Sequence, residues 1–246
     1  MSVREGMHVY LSDRRTLRAC LYLAALLALA LLAVWPRGPL EAVLRTGQVS
    51  ATFSVVAICL LVAGLYLGAR FGAEDFSTDP NVQLQELVTM TPVPLLSLAA
   101  ERLTVGVLHT LLLLLLGAPF LVAAMAVGGA DAAQLLQTLV LVGSASLAAR
   151  MTGLLVRSAT GARRPLRDII LFFCVTGAAA AVFLLAPSAS AFRVVGALGR
   201  GSVRAPLLPA AADAAAAAVL AAGALAVFAV MRARAGQRQR GAADRG

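Results

Sequence analysis

The polar stretch DPNVQLQELVTMTPVP, residues 79–94, stands between hydrophobic segments and decides how the rest of the chain is interpreted. Asp79 suits the N-cap of a helix, and Pro80 suits its first position. Pro92 disfavours a helical backbone at Thr91, so the pattern predicts a helix of about three turns. The side chains spaced three and four residues apart on one face of this helix are Leu84, Leu87, Val88 and Thr91. The segment is too short and too polar to cross a bilayer, so we expect it to lie at the membrane surface.

The composition of the whole chain is that of a membrane protein. Hydrophobic residues make up 60% of its 246 residues and charged residues only 13%, so the length indicates a number of membrane spans. All 21 basic residues are arginine, and most flank apolar runs, where they orient the chain and contact lipid headgroups. No soluble module that could hold nucleic acid is present, so the net charge of +9 predicts membrane lipids as partners and no nucleic acid.

The apolar runs predict an all-α, polytopic membrane protein with six transmembrane helices in a single domain, residues 1–246. The predicted spans cover residues 17–35, 49–69, 103–127, 132–156, 169–186 and 209–231. The first run exceeds the roughly 7 to 15 apolar residues of a signal peptide, which favours a retained helix over a cleaved one. Residues 188–208 are expected to connect the last two spans, with or without an interfacial or re-entrant piece.

Several features of the spans bear on helix packing. Gly64, Gly68 and Gly72 recur every four residues, which indicates either close helix contact or simply the frequency of glycine in membrane helices. The fourth run is the most polar and should prefer protein neighbours to lipid. In the third run, Pro119 predicts a kink.

The arginines also predict the orientation of the spans. With both termini in the cytoplasm, 16 of the 21 arginines lie on the cytoplasmic side, as the positive-inside tendency requires. These are Arg4, Arg14, Arg15, Arg18, Arg70, Arg102, Arg150, Arg157, Arg163, Arg164, Arg167, Arg232, Arg234, Arg238, Arg240 and Arg245. The surface helix is then cytoplasmic, and so is the arginine-rich loop between the fourth and fifth spans.

Few groups in the sequence are suited to carry out a reaction. A phosphate-binding loop requires a lysine, and the chain has none. His109 with Ser144 or Ser146 is the one pair suited to an intramembrane serine protease, but a lone histidine near a helix end more often hydrogen-bonds a neighbouring helix. The histidines and cysteines are widely separated and the acidic residues lie at span ends, so no metal, cofactor or proton pathway is predicted. We therefore expect a protein that is not an enzyme and has no energy source of its own.

This layout resembles the membrane subunits of ABC-2-type ATP-binding-cassette transporters. Members of that family have six spans, cytoplasmic termini, and a short cytoplasmic helix between the second and third spans with the recurring run E-L-L-x-x-T-P-x-S. The matching run is ELVTMTPVP, residues 86–94, and the charged pair Glu101 and Arg102 follows it at the start of the third span. Pro94 stands where serine or threonine is common in the family, and Glu101-Arg102 stands where Gly-Lys is frequent.

The resemblance implies that a separate ATPase subunit docks on the amphipathic surface helix, here called the coupling helix, and drives export across the cell membrane, the inner membrane of a bacterium. It also implies pairing with a second copy of the chain or a homologous permease, with ATP bound by the ATPase alone. The residues assigned to the ATPase contact are Leu84, Glu86, Leu87, Met90, Thr91 and Pro92, and those of the second cytoplasmic loop are Arg163, Arg164 and Arg167. The alternatives are a membrane scaffold or assembly protein that transports nothing, and a secondary carrier or channel.

Overall fold

The computed structural model describes residues 14–35, 50–74, 95–128, 130–160, 164–185 and 190–198, together with residues 211 and 215. Within these ranges the regular structure is entirely helical, which confirms the all-α prediction for them. The helices are α1 (Arg14–Ala33), α2 (Ser50–Glu74), α3 (Leu95–Gly128), α4 (Ala132–Thr160), α5 (Arg164–Leu185) and α6 (Ala191–Leu198).

Four of these helices are long and apolar enough to cross a membrane, judged by length and composition. Their candidate spans are Thr16–Ala33, Ala51–Ala73, Thr104–Gly128 and Ala132–Val156. These coincide with the first four predicted spans and indicate a multi-pass membrane protein. The apolar part of α5, Ile169–Leu185, is shorter. The sixth predicted span, residues 209–231, lies outside the described residues except for residues 211 and 215.

Several helices extend beyond their predicted spans, among them α2 and α3. α2 continues to Glu74 instead of ending at residue 69, and α3 begins at Leu95 instead of residue 103. A helix that leaves the bilayer keeps its internal hydrogen bonds in water, so hydrophobicity marks the end of the span and not the end of the helix. α3 also continues through Pro119, so this proline does not end the helix, and the kink stays a prediction.

The segment predicted to be the second cytoplasmic loop is partly helical. α4 extends to Thr160 and α5 begins at Arg164, so Arg164 and Arg167 belong to the start of a helix instead of a loop. Pro165 accounts for this early start, because proline has no N–H to leave unpaired in the first turn and its backbone angle suits a helix. Arg163 lies outside the described residues.

α2 and α4 form the centre of the helical bundle. The buried share of the candidate span is 50% in α2 and 56% in α4, against 17% in α1 and 22% in α3. This confirms that the most polar run, α4, has protein neighbours. The apolar side chains packed between the helices include Phe53, Leu60, Leu121 and Leu141, each at most 1% exposed. Between membrane helices such contacts stabilise through close van der Waals packing, because lipid tails are as apolar as leucine.

The turn between α3 and α4 is short, so these helices are antiparallel neighbours. The backbone N–H of Asp131, just before α4, donates to the side-chain oxygen of Gln134 at 3.0 Å. This is one half of a capping box, in which the third helical residue bonds the N-cap residue. The backbone N–H of Leu135 donates to the carbonyl of Asp131 at 3.1 Å and begins the hydrogen bonding of the helix. The start of α4 is therefore specified by its own sequence.

A short helix, α6, lies within the predicted connection of residues 188–208. It has eight residues and is about 12 Å long, well short of the roughly 30 Å of a hydrocarbon core. It packs against α2, α4 and α5, and its Val195 is fully buried. The guanidinium carbon of Arg193 lies 4.5 Å from the ring centre of Phe183 in α5, a cation–π contact. Residues 191–198 are therefore part of the helical bundle.

Candidate functional site

The predicted ATPase contact falls in residues 75–94, which lie outside the described residues. This applies to Leu84, Glu86, Leu87, Met90, Thr91 and Pro92. The segment joins the end of α2 to the start of α3. Near the same end of the bundle the structure contains a glycine-rich contact between α2 and α4 and a buried arginine, which together form the candidate site.

The glycine-rich contact brings two helix backbones together. We call it the α2–α4 seam, and it consists of Gly64, Gly68, Gly72, Ser146 and Gly153. A Cβ atom on Gly68 would meet the carbonyl oxygen of Ser146, and one on Gly153 would meet the carbonyl oxygen of Ala69. Only glycine fits at these two positions, because a helical carbonyl cannot move aside unless its helix moves. The close-contact interpretation of the glycine spacing is therefore confirmed.

A hydrogen bond crosses the seam. The hydroxyl of Ser146 donates to the carbonyl oxygen of Gly64 at 2.8 Å, and the bond is buried. A backbone carbonyl has two lone pairs, so Gly64 can accept this bond in addition to the one within its helix. The bond fixes how α2 is positioned along α4, since a slide of one helix along the other would break it.

Ser146→Ala is expected to weaken this pairing modestly. Hydrogen bonds between membrane helices contribute about 0.6 kcal/mol on average and at most about 1.7 kcal/mol, so we expect a loss within that range. The free energy of unfolding in mixed micelles of mild detergent and SDS measures it. Thr152→Val is the matched control, because the Thr152 hydroxyl donates at 3.0 Å to Ala148 of its own helix. An equal loss in the control would mean that the bond across the seam adds nothing.

Arg150 of α4 is the largest fully buried side chain in the described residues, with 2% of its surface exposed. Its backbone carbonyl oxygen lies against Gly72 of α2, where a Cβ atom would overlap it. Its side chain crosses α3 at Gly106, where a Cβ atom would lie 3.0 Å from both Cδ and Nε. Two glycines on two different helices therefore make the space that this arginine occupies.

The guanidinium group of Arg150 hydrogen-bonds a histidine. Its Nη1 lies 3.0 Å from Nδ1 of His109 in α3. Because arginine has only donors, Nδ1 must accept, so the imidazole is neutral and carries its hydrogen on Nε2. The ring of His109 also makes an edge contact with Phe71 of α2, with 4.3 Å between ring centres. We call Arg150, His109, Phe71, Gly72 and Gly106 the Arg150 cluster, and it joins α2, α3 and α4.

The Arg150 cluster corrects one prediction and confirms another. Arg150 was predicted to be one of the arginines that flank spans on the cytoplasmic side, but it is buried between helices. The expectation that His109 hydrogen-bonds a neighbouring helix is confirmed. The available signal was the position of Arg150 inside an apolar run, six residues before the end of the candidate span at Val156. A charged residue at such depth faces the interior of the bundle and needs a partner there.

The two serines considered for catalysis have other hydrogen-bond acceptors. Ser146 donates to Gly64, as described above, and Ser144 donates to the carbonyl oxygen of Leu141 at 2.9 Å. A catalytic serine passes its single hydroxyl hydrogen to a histidine base. In this structure both hydrogens go to backbone carbonyls, so the serines contribute to helix structure and packing.

A groove of about 510 Å³ opens between α3 and α4. It is lined almost entirely by apolar side chains, among them Leu111, Leu114, Val140 and Leu147. Its polar lining residues are Thr110 and Ser144. Such a surface suits lipid chains or another apolar helix and has no charged group for recognising a polar ligand.

The titratable side chains do not suggest a metal site. In the ranges that the structure covers, histidine, cysteine, aspartate and glutamate form no group of three or more that could hold a metal ion.

Comparisons of this chain with protein-family models, with curated proteins and with solved structures found no match.

Proposed function

We propose that this chain is the membrane subunit of an ABC-2-type transporter, an exporter that draws its energy from a separate ATPase subunit. The observation that carries the proposal is the run ELVTMTPVP, residues 86–94, in the segment between α2 and α3. These two helices pack against each other. A protein that binds the segment therefore acts on two adjacent helices of the bundle.

A transporter built from this chain needs partners. The chain has no lysine, so it has no phosphate-binding loop with which to hold ATP. The proposal therefore includes an ATPase subunit that binds ATP on the cytoplasmic side. It also includes a second copy of the chain, or a homologous permease, to complete the transport pathway.

The proposed topology has six spans with both termini in the cytoplasm, in the inner membrane of a bacterium. The asymmetric distribution of the arginines supports this orientation, with 15 against 5 once the buried Arg150 is left out of the 16. Residues 75–94 and the short segment between α4 and α5 are then cytoplasmic. The turn between α3 and α4 faces the other side.

Reporter fusions test this topology. A reporter fused after Asp131 is expected outside the cytoplasm and one at Gly161 inside, because the candidate span Ala132–Val156 crosses the membrane once between them. Alkaline phosphatase and green fluorescent protein fusions, which are active on opposite sides, measure the location. The same location for both fusion sites would rule out the six-span topology.

Leu87→Asp tests the proposed function. A short docked helix binds through a few central apolar anchors, and losing one costs at least about 2 kcal/mol, or some thirtyfold in affinity. We therefore expect the tagged variant, purified from its native membrane, to lose its ATPase partner while still inserting normally. Mass spectrometry of the purified complex measures the amount of ATPase retained.

Thr89→Asp is the matched control for this variant. It introduces the same charge two residues away, on the opposite face of the predicted helix, so it should retain the ATPase. Full ATPase binding and full export by Leu87→Asp would show that the coupling helix is not the docking element. Loss of the ATPase in both variants would show that the effect comes from charge and not from a docking face.

A further inference from the structure

A second groove, of about 570 Å³, lies between α1 and α2 and differs in character from the first. Its wall is apolar, and it includes Leu26 and Val62, which are 45% and 48% exposed. Its polar lining residues are Arg18, Tyr22, Tyr66 and Arg70. Both arginines are exposed, so the groove presents two positive charges beside an open apolar surface.

The four polar residues are arranged as two matching pairs. Arg18 and Tyr22 lie four residues apart on α1, and Tyr66 and Arg70 lie four residues apart on α2, so each pair shares one helix face. In both pairs the arginine is nearer the end of the candidate span. Arg18 is two residues from Thr16 and Arg70 is three residues from Ala73, which places each within about 5 Å of the end along the helix.

The two pairs lie at the same end of α1 and α2. At the opposite end, the hydroxyl of Thr52 donates to the carbonyl oxygen of Val34 at 3.2 Å, so the two helices are antiparallel. Arginines at this depth extend their charged ends to the level of the lipid headgroups, and tyrosines are typical of the same interface. The groove therefore has a charged, aromatic end at the membrane surface and an apolar end within the hydrocarbon.

The polar end has hydrogen-bond donors suited to a phosphate. Arg70 donates from Nη1 to the hydroxyl oxygen of Tyr66 at 3.2 Å, which uses that oxygen as an acceptor and lets the hydroxyl hydrogen donate elsewhere. Guanidinium groups are the preferred protein partners of phosphate. Two guanidinium groups and two tyrosine hydroxyls line the same end of the groove, a set of donors that suits an anion.

We propose that this groove binds one anionic phospholipid, with its phosphate against Arg18 and Arg70 and an acyl chain along Leu26 and Val62. The apolar wall alone would accept any lipid or another helix, and the groove between α3 and α4 has such a wall with no charged residue in its lining. Two arginines that line one groove at headgroup depth favour a lipid with net negative charge over a zwitterionic one.

Native mass spectrometry of the full-length, delipidated protein in detergent tests the proposal, with phosphatidylglycerol as the probe. We expect phosphatidylglycerol to bind at least about fivefold more tightly than phosphatidylcholine. Arg18→Gln and Arg70→Gln should each weaken phosphatidylglycerol binding about fivefold, and the double variant about 25-fold, from the contribution of one surface arginine. Inorganic phosphate should not displace the lipid, because it cannot use the apolar wall.

Arg193→Gln is the matched control, since Arg193 is also an exposed arginine but lies on α6, outside the groove. It should change phosphatidylglycerol binding by less than about twofold. A second variant, Val62→Trp, keeps every charge and fills the apolar wall, so it should also weaken binding. All these positions are exposed, and the unfolding temperature in detergent confirms that the variants fold.

Other results would overturn the proposal. Equal binding of the two lipids, or an equal loss in Arg193→Gln, would mean that the protein attracts lipid through its overall charge. Displacement by inorganic phosphate would identify the site as one for free anions. Because the same spectra report the oligomeric state, a loss of dimer in Arg18→Gln and Arg70→Gln with unchanged lipid binding would identify the groove as an interface between two copies of the chain.

Discussion

Gly72→Leu is expected to prevent α2 and α4 from packing at their native distance. A Cβ atom at this position overlaps the carbonyl oxygen of Arg150, which moves only if α4 moves. Inserting extra atoms into a well-packed contact costs about 1–3 kcal/mol and occasionally more. Leucine extends beyond Cβ into the same crowded space, so we expect a loss of at least about 3 kcal/mol. Unfolding in mixed micelles of mild detergent and SDS measures this free energy.

Gly177→Leu is the matched control for Gly72→Leu. Gly177 also lies inside an apolar helix, α5, but a Cβ atom there has no neighbour within 4 Å among the described residues. Leucine should be neutral or stabilising by up to about 1 kcal/mol, because glycine is the less favourable residue in a helix. Glycine to leucine is thus expected to destabilise the protein strongly at position 72 and to have little or the opposite effect at position 177. Equal stability of the two variants would contradict the close packing of α2 against α4 at the seam.

His109→Leu is expected to destabilise the protein by about 3 kcal/mol or more, since it removes an acceptor from a charged group that stays buried. Arg150 is 2% exposed and cannot reach water without disturbing three helices. Leucine roughly conserves the volume of the side chain, so packing alone accounts for little of the loss. The same unfolding measurement applies.

A double-mutant cycle separates the hydrogen bond from general packing. Arg150→Met keeps the unbranched stem and removes the charge, and the Arg150→Met/His109→Leu double variant removes both polar partners. Replacing both partners of a buried pair by apolar groups is often close to neutral, so the double variant should be more stable than His109→Leu alone. Arg193→Met is the control. It removes the exposed cation–π contact with Phe183 and should lower the free energy of unfolding by less than about 1 kcal/mol. Additive losses in the cycle would mean that Arg150 and His109 do not act as a pair.

Some features of the bundle could be predicted from the sequence because they depend on local chemistry. The start of α4 follows from Asp131 and Gln134, since the Gln134 side chain accepts the Asp131 backbone N–H within one turn. The close approach of α2 to another helix follows from the spacing of Gly64, Gly68 and Gly72, because small residues on one face allow contact whatever the partner is. The polarity of the fourth run likewise predicted its burial.

Other features required knowledge of which helices face each other. The partner of the glycines, α4, is not specified by their spacing, and Ser146 gave no sign that its hydroxyl would reach Gly64. Arg150 was misplaced because the positive-inside count treats every arginine near a span end alike. Its burial depends on Gly106, on a different helix, which leaves the space for it. The groove between α1 and α2 was missed for the same reason, since its two Arg–Tyr pairs meet only when the helices are antiparallel neighbours.

The α2–α4 seam also has a mechanical consequence. The backbones of α2 and α4 are in contact at Gly68 and Gly153, and Ser146 hydrogen-bonds Gly64 across the contact. We therefore expect the two helices to move as one rigid unit. In the transporter proposed above, we expect a force applied by the ATPase to residues 75–94 to reach this rigid unit through the end of α2 and to move α2 and α4 together. We expect the hinge of such a motion at the boundary with α1, where only 17% of the candidate span is buried, since the Arg150 cluster joins α3 to α2 and α4. A disulfide across the seam should leave such a motion intact, whereas one between α1 and α2 should stop it.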